Sequence, residues 1–435
     1  MRFTVNSTLF LEALSTVNRA VPSKTTLPIL ECILFERPGG PAEGLLLKGT
    51  DLEIGVVTKV EGVQFDMIDG KAGSEFSVAV PARRLLDTLR ELPDGLSITF
   101  NLDEETFAVE LSTDQGEYKM AGQDGQDYPD IPEPGEGSER GVKVGASAFA
   151  RVVENTSFAA SNDDLRPAMA GVNFEFSDEA SRAVATDGHR LSRFTMTDGR
   201  LATEAPESAF SFILPQKAGQ IARRVASDFA ENKGGGDGEG KRVCSVQVGD
   251  GHARVEAGNT KVLARLVEEK YPNYESVIPD SNGKRVRVGR EALLSATKRV
   301  GIYSSSTTNQ IRFRIDPGEE RIRIDAEDVE RSSEAEETLR CECKPAPSSS
   351  GEGEEKEKGT EENPWEESGP LTIGFNADYL KEVLGATDAE DILMDLSSPN
   401  RAGIVRPDES ALADDEDHLM LVMPVILNTY DYDGE

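Results

Sequence analysis

The sequence predicts three repeated domains that mix helices and strands, each built from two strand–helix–strands units. Two families of recurring segments carry that reading. The first is "FTVNSTLFLEALSTVNRAV" from Phe3, "VKVGASAFARVVENTSFAA" from Val142 and "VRVGREALLSATKRVGIYS" from Val286. The second is "FSVAVPARRLLDTLREL" from Phe76, "FSFILPQKAGQIARRVA" from Phe210 and "LTIGFNADYLKEVLGAT" from Leu371. The period is about 140 residues, and a chain of 435 residues has room for two to four domains on the usual size prior.

Each segment of the first family reads as a short alternating strand, a polar or glycine break, and an amphipathic helix. Phe10, Leu14, Val17 and Val21 recur at helical spacing after a cap candidate at Asn6 or Ser7. In the second family Pro81 and Pro215 suit a first-turn position and Asn376 suits an N-cap. Pro93-Asp94-Gly95 and Gly385 mark helix ends. Stretches such as "GLLLKGTDLEIGVVTKV" and "RVCSVQVGDGHARVEAG" fill the intervals as hairpins. The linkers "YPDIPEPGEGSERG" and "YPNYESVIPDSNGKR" end the first two copies, giving domains 1–137, 138–280 and 281–435. The third copy is lengthened by an acidic insert, 344–370, with the composition of a disordered loop.

Composition narrows the function. No run of about 18 apolar residues and no charged-then-apolar leader is present, so the expectation is a cytoplasmic chain without membrane association. Cys32, Cys244, Cys341 and Cys343 lack zinc-site spacing and read as reduced structural thiols. The net charge is −33. The insert holds eight acids against three lysines, so most of that charge is spread along the chain. A diffusely acidic surface fits a very salty cytoplasm, as in a halophile, where self-repulsion is screened. Such a charge disfavours nucleic-acid binding unless cations are locally concentrated. Arg83 and Arg90 lie seven apart and share one helix face, away from Leu85, Leu86 and Leu89. Lys217 and Arg224 take the matching places in the second copy, and Lys298, Arg299 and Lys24 add to the set. The third copy breaks the pattern with Asp378 and Gly385, leaving Lys381 nearby.

"VATDGHRLSRF" (184–194) concentrates Thr186, Asp187, His189, Arg190, Ser192 and Arg193. A nucleophile–base reading would join Ser192 or Thr186 to His189 and Asp187. Asp-Gly between two alternating runs is a hairpin signal, however, not a nucleophile elbow. A metal reading lacks ligands, since His252 and His418 sit in no ligand-spaced cluster. Phosphate-transfer signatures are absent. A plain hairpin and a surface binding site remain.

The repeat, "TLPIL" (26–30), "GTDLEI" (49–54), "VPARRLLDTLRELP" (80–93), "VATDGHRL" (184–191) and the C-terminal "LVMPVIL" together resemble the bacterial β sliding clamp family, the processivity subunit of DNA polymerase III. The resemblance covers nearly the whole chain. It implies an α+β fold of clamp domains and a head-to-tail homodimer closed into a ring, with helices lining the hole and antiparallel sheets outside. It implies a non-enzymatic, cofactor-free protein that encircles double-stranded DNA without sequence preference. It also implies tethering of the replicative polymerase, the clamp loader and other proteins with a clamp-binding motif.

Site residues follow from the same resemblance. Lys24 and Arg83 carry over as DNA contacts, and Arg90, Lys217, Arg224, Lys298 and Arg299 extend them along the hole. The loop "SNDDLRPAM" departs, with Asp163 in place of a glutamine and Pro167-Ala168 in place of tyrosines. A peptide pocket maps onto Met169, Thr186, Gly188, His189, Arg190, Leu191, Pro272, Val277, Val422, Met423 and Pro424, with His189 and Arg190 as its polar rim. Ser276 replaces a pocket arginine. "NTYDYDGE" follows Val425, Ile426 and Leu427 where relatives end, which alters the peptide preference. Tyr118 and Met120 are expected to meet Ile302 and Tyr303 of a second copy. The competing readings are an enzyme centred on His189 and an acidic scaffold that does not bind DNA.

Overall fold

The computed structural model describes residues 1–38, 44–68, 71–72, 75–135, 140–197, 201–204, 206–231, 242–347 and 363–427. Six main helices come in three pairs: α1 (Ser7–Val17), α2 (Ala82–Arg90), α3 (Ala146–Thr156), α4 (Gln216–Glu231), α5 (Arg290–Gly301) and α6 (Ala377–Gly385). Each follows a strand. Asn6 caps α1, its side chain accepting the amides of Thr8 and Leu9 at 3.0 and 3.3 Å. Ser7 is instead buried, its hydroxyl donating to the Pro93 carbonyl. Asn376 caps α6 in the same way as Asn6. Pro81 and Pro215 are the last strand residues, one place earlier than the first-turn position expected for them. Gly95, at φ +72°, takes the left-handed backbone after α2.

Contacts divide the chain into two compact units, Met1–Arg151 with Arg200–Glu268, and Val152–Gly199 with Glu269–Glu435. The division runs through the second repeat because strands pair across the repeat borders. Six strands matter here: β1 (Ile54–Lys59), β2 (Glu117–Ala121), β3 (Arg190–Met196), β4 (Thr260–Arg265), β5 (Ser333–Arg340) and β6 (Glu416–Val422). In the first unit β1 of repeat one pairs antiparallel with β4 of repeat two, Ile54 opposite Ala264. This seam makes one nine-stranded sheet. In the second unit β3 of repeat two pairs antiparallel with β6 of repeat three, Arg190 opposite Val422. The remaining two strands, β2 and β5, each end a smaller sheet.

Alternation along these strands buries one face. Phe3, Phe10, Phe35 and Phe100 are fully buried in the first unit, with ring centroids 4.9–6.4 Å apart where they meet. Phe313 and Phe375 meet edge to face in the second. Both ends of the acidic insert are ordered, against the expectation of a loop over 344–370. Glu342–Pro345 forms a strand paired with Lys284–Arg287, and Pro364–Ser368 forms a short helix. Trp365 is buried there, its indole donating to the Lys344 carbonyl at 3.0 Å beneath the Lys284 ammonium. Residues 348–362 lie outside the described residues. The four cysteines are free. Among the described residues no helix is long and apolar enough to cross a membrane.

Candidate functional site

The Thr186 and Asp187 side chains close the turn after Ala185 onto its own backbone. The Thr186 hydroxyl donates to the Arg190 carbonyl at 2.7 Å and accepts the Gly188 amide at 3.1 Å. The Asp187 carboxylate accepts the amides of His189 and Arg190 at 2.8 and 2.9 Å. Gly188 sits at φ +89°, where a side chain is strained. The turn thus presents the exposed Gly188 and His189 and holds them rigidly. The same turn recurs in the first unit. There Thr50 and Asp51 make the equivalent bonds to Leu52, Glu53 and Ile54, with Leu52 at φ +79°.

The hydrogen bonds leave no nucleophile–base pair at this turn. Thr186 and Asp187 are spent on the backbone. Ser192 is buried, donates to the Asn155 carbonyl at 2.6 Å, and lies 3.0 Å from Nε2 of the buried His418 rather than near His189. Among the described residues no cluster of three or more His, Cys, Asp or Glu could hold a metal ion.

The expected pocket residues come together in the second unit, but in two layers. Thr186, Arg190, Leu191 and Val422 are buried and frame the site from beneath. Arg190 is therefore not at the rim. Its guanidinium is 7% exposed, lies 4.9 Å from the Tyr379 ring and 5.6 Å from the Phe158 ring, and pairs with Asp187 and Glu382. Burial pulls its pKa below the ordinary arginine value, opposed by Asp187 and Tyr379. The upper layer holds the exposed His189, stacked on Tyr379 with centroids 5.7 Å apart, and Met423, whose amide donates to the His189 carbonyl at 2.8 Å. Val277 and Met423 are 54% and 38% exposed, and Met169, Pro272 and Pro424 are half-buried.

Leu191 anchors the floor in a cluster with Val184, Tyr274, Ile404, Leu419 and Leu421. Tyr271 donates to the Val184 carbonyl and Tyr274 to Glu175. Burial, reinforced by Glu175, pushes the Tyr274 phenol up to about 12. Ser276 closes a local turn by donating to the Asn273 carbonyl. Past Pro424 the chain stays attached, the Val425 amide donating to the Gly374 carbonyl. Asn428–Glu435 lies outside the described residues. Tyr379, Phe158 and Arg166 were not expected here. Arg166 donates to the Asp187 carbonyl from the "SNDDLRPAM" loop and pairs with Asp163.

The expected cations lie on or beside helices, most of them ion-paired with an acid of their own copy. Arg83 and Arg90 share Asp87 at 4.0 and 3.5 Å, and Lys217 pairs with Asp51. Arg224 shares Asp228 with Arg19, a cation the spacing did not single out. Arg299 forms a two-point pair with Glu337 and holds that carboxyl below its usual range. Lys24 and Lys298 are exposed and make no ion pair among the described residues. At the expected subunit contact Ile302, Tyr303 and Tyr118 are exposed, but Met120 is buried in its own sheet, so the exposed partners there number three, not four.

Residues 1–132 match the model of the DNA polymerase III beta subunit, N-terminal domain, and residues 143–273 that of its central domain. The chain belongs to the DNA polymerase III beta subunit family. It is 29% identical over 427 residues to the beta sliding clamp of Pseudomonas putida, covering 98% of this chain and 100% of that one. It is 28% identical over 397 residues to the beta sliding clamp of Escherichia coli, covering 91% and 93%. Among solved structures, the Pseudomonas aeruginosa sliding clamp bound to griselimycin superposes with a TM-score of 0.78 at 27% identity, covering 98% of this chain and 100% of that one. The Bartonella birtlesii clamp bound to griselimycin gives 0.77 at 26%, with the same coverage. The family is one of DNA sliding clamps, processivity subunits without chemistry of their own, and the fold is α+β.

Replacing Asp187 with alanine should cost the turn about 1–2 kcal/mol, because two amides lose a charged acceptor. Hydrogen exchange at His189 and Arg190 reads it directly. Both amides should exchange at least about fivefold faster; unchanged rates would contradict the role given to Asp187.

Proposed function

We propose that two copies close head to tail around duplex DNA, and that the groove beside His189 docks peptides of partner proteins. The observation that carries the ring is the pair of internal seams. First-half strands β1 and β3 each pair with a second-half strand of the following repeat, β4 and β6. The third first-half strand, β5, and the remaining second-half strand, β2, are sheet edges. Pairing β5 with β2 of another copy repeats the internal rule, and two such contacts close a ring of six repeats. Phe158, after α3, packs against the cluster that contains Met420 and Val422. By the repeat, Ile302 after α5 stands in the place of Phe158, and Tyr118 and Met120 in those of Met420 and Val422. That supports Ile302, Tyr303 and Tyr118 as the apolar part of the contact between copies.

Lys24 in the loop after α1 and the helix cations Arg83, Arg90, Lys217, Arg224, Lys298 and Arg299 are the DNA-facing set of this reading. Acid partners at all of them but Lys24 and Lys298 lower the local charge, which suits weak, sequence-blind contacts exchanged during sliding. The three repeats 1–137, 138–280 and 281–435 are the ring's domains. The groove takes short peptides with hydrophobic anchors from the replicative polymerase, the clamp loader and other partners. Val277, Met423 and Pro424 supply its apolar wall and His189 a polar edge. The acidic surface fits a salty cytoplasm.

Loaded by a clamp loader onto nicked circular DNA, the protein should stay bound, and it should run off within minutes once the circle is linearised. Equal retention on circle and line would contradict the ring. Val277→Asp and Met423→Ala, both at exposed side chains, should weaken binding of a hydrophobic-anchor polymerase peptide about tenfold. Unchanged peptide affinity in both variants, measured by fluorescence anisotropy, would contradict the groove.

A further inference from the structure

The two internal seams and the two free edges are not built alike. Following the strand ladders through each repeat equates Ile54, Arg190 and Ser333 on the first-half strands, and Ala264, Val422 and Met120 on the second-half strands. Carried to the outer contact, this register sets Ser333 opposite Met120, Glu334 opposite Lys119, Ala335 opposite Tyr118 and Glu336 opposite Glu117. The parity is right. Glu334 and Glu336 are exposed on one face of β5, as Glu117 and Lys119 are on β2, while Met120 is turned to the buried face.

At the position of Glu336 and Glu117, the internal seams pair Val57 with Lys261 and Arg193 with Leu419. An apolar residue faces a cation in both. The next position inward pairs Val56 with Val262 and Ser192 with Met420. Only the outer contact sets two carboxylates face to face, where like charges directly opposite destabilise a sheet. In the separate chain Arg323 pairs with Glu336 and Lys119 with Glu110, so these two cations are already committed within their own copy. Each copy also brings a net charge of −33.

We infer that the contact between copies is a salt-gated seam, open in dilute salt and closed when screening relieves the repulsion between Glu336 and Glu117 of the partner subunit. This rests on the head-to-tail reading. Exposed charges of this kind are screened once the Debye length falls from about 10 Å at 0.1 M salt to about 3 Å at 1 M. The internal seams, which set an apolar residue against a cation at the matching position and so carry no like-charge pair there, stay shut over the same range. The ring therefore has one kind of breakable joint, and its strength follows the salt around it.

Sedimentation equilibrium of the full chain across about 0.1, 1 and 3 M KCl tests this. The dissociation constant should fall about tenfold or more between the first two. Glu117→Lys should tighten the dimer about three- to tenfold at the lowest salt, and adding Glu336→Lys should remove that gain. Glu336→Gln alone should give a smaller gain of the same sign. At the highest salt all four proteins should converge. A dimer whose affinity ignores salt overturns the inference and leaves the ring standing. A gain from Glu117→Lys that survives Glu336→Lys overturns the assigned pair. A folded monomer at every salt overturns the head-to-tail reading itself.

Discussion

Backbone pairing across repeat borders is the constraint on which this structure depends. A strand edge presents a row of amides and carbonyls that must find partners, and each net hydrogen bond is worth roughly 1 kcal/mol. The chain satisfies two of its repeat edges internally, by joining β1 to β4 and β3 to β6. Those seams are why the compact units cut through the second repeat rather than between repeats. They also position the proposed docking site. The turn at Thr186–Arg190 leads into β3, and Met423 follows directly on β6, so one ladder brings together residues more than two hundred positions apart.

The turn itself explains why a cluster of catalytic residue types does no chemistry. A general base or nucleophile needs a free lone pair or a transferable proton aimed at a substrate. Here Asp187 and Thr186 hold backbone groups, and the Ser192–His418 contact is buried. What remains exposed is a rigid lip, His189 and Gly188, over apolar side chains. A near-identical turn stands at Thr50–Ile54 in the first repeat. In the first unit, however, Asp51 is tied to Lys217 and a leucine replaces the glycine.

Much of the fold was legible because local physics decided it. The helices follow from apolar spacing and caps at Asn6 and Asn376, and the hairpin from Asp-Gly between alternating runs. The surroundings of the 186–190 turn were legible only in outline. Arg190 reads as a surface cation in sequence, yet Phe158 and Tyr379, far away along the chain, bury it. Nothing local to "ATDGHR" signals those two rings. The ends of the insert were missed for a similar reason. Its acidic composition masks the Trp365 anchor, and the Glu342–Pro345 strand is stabilised by pairing with Lys284–Arg287 rather than by its own propensity. The family resemblance puts Met120 at an interface, and the alternation of its strand turns it inward.

Charge follows the same division between fixed and adjustable. Acids sit against most of the expected cations, and the free edges each carry an exposed carboxylate, Glu336 and Glu117, where the internal seams set an apolar residue against a cation. A ring held by topology can afford weak contacts to DNA, provided the joint between copies is head to tail. Mixing copies that carry Lys119→Cys with copies that carry Glu334→Cys, in molar salt under mild oxidation, tests that claim most directly. The mixture should give a covalent dimer and neither variant alone should. A cross-link within one variant by itself, or none in the mixture, would contradict it.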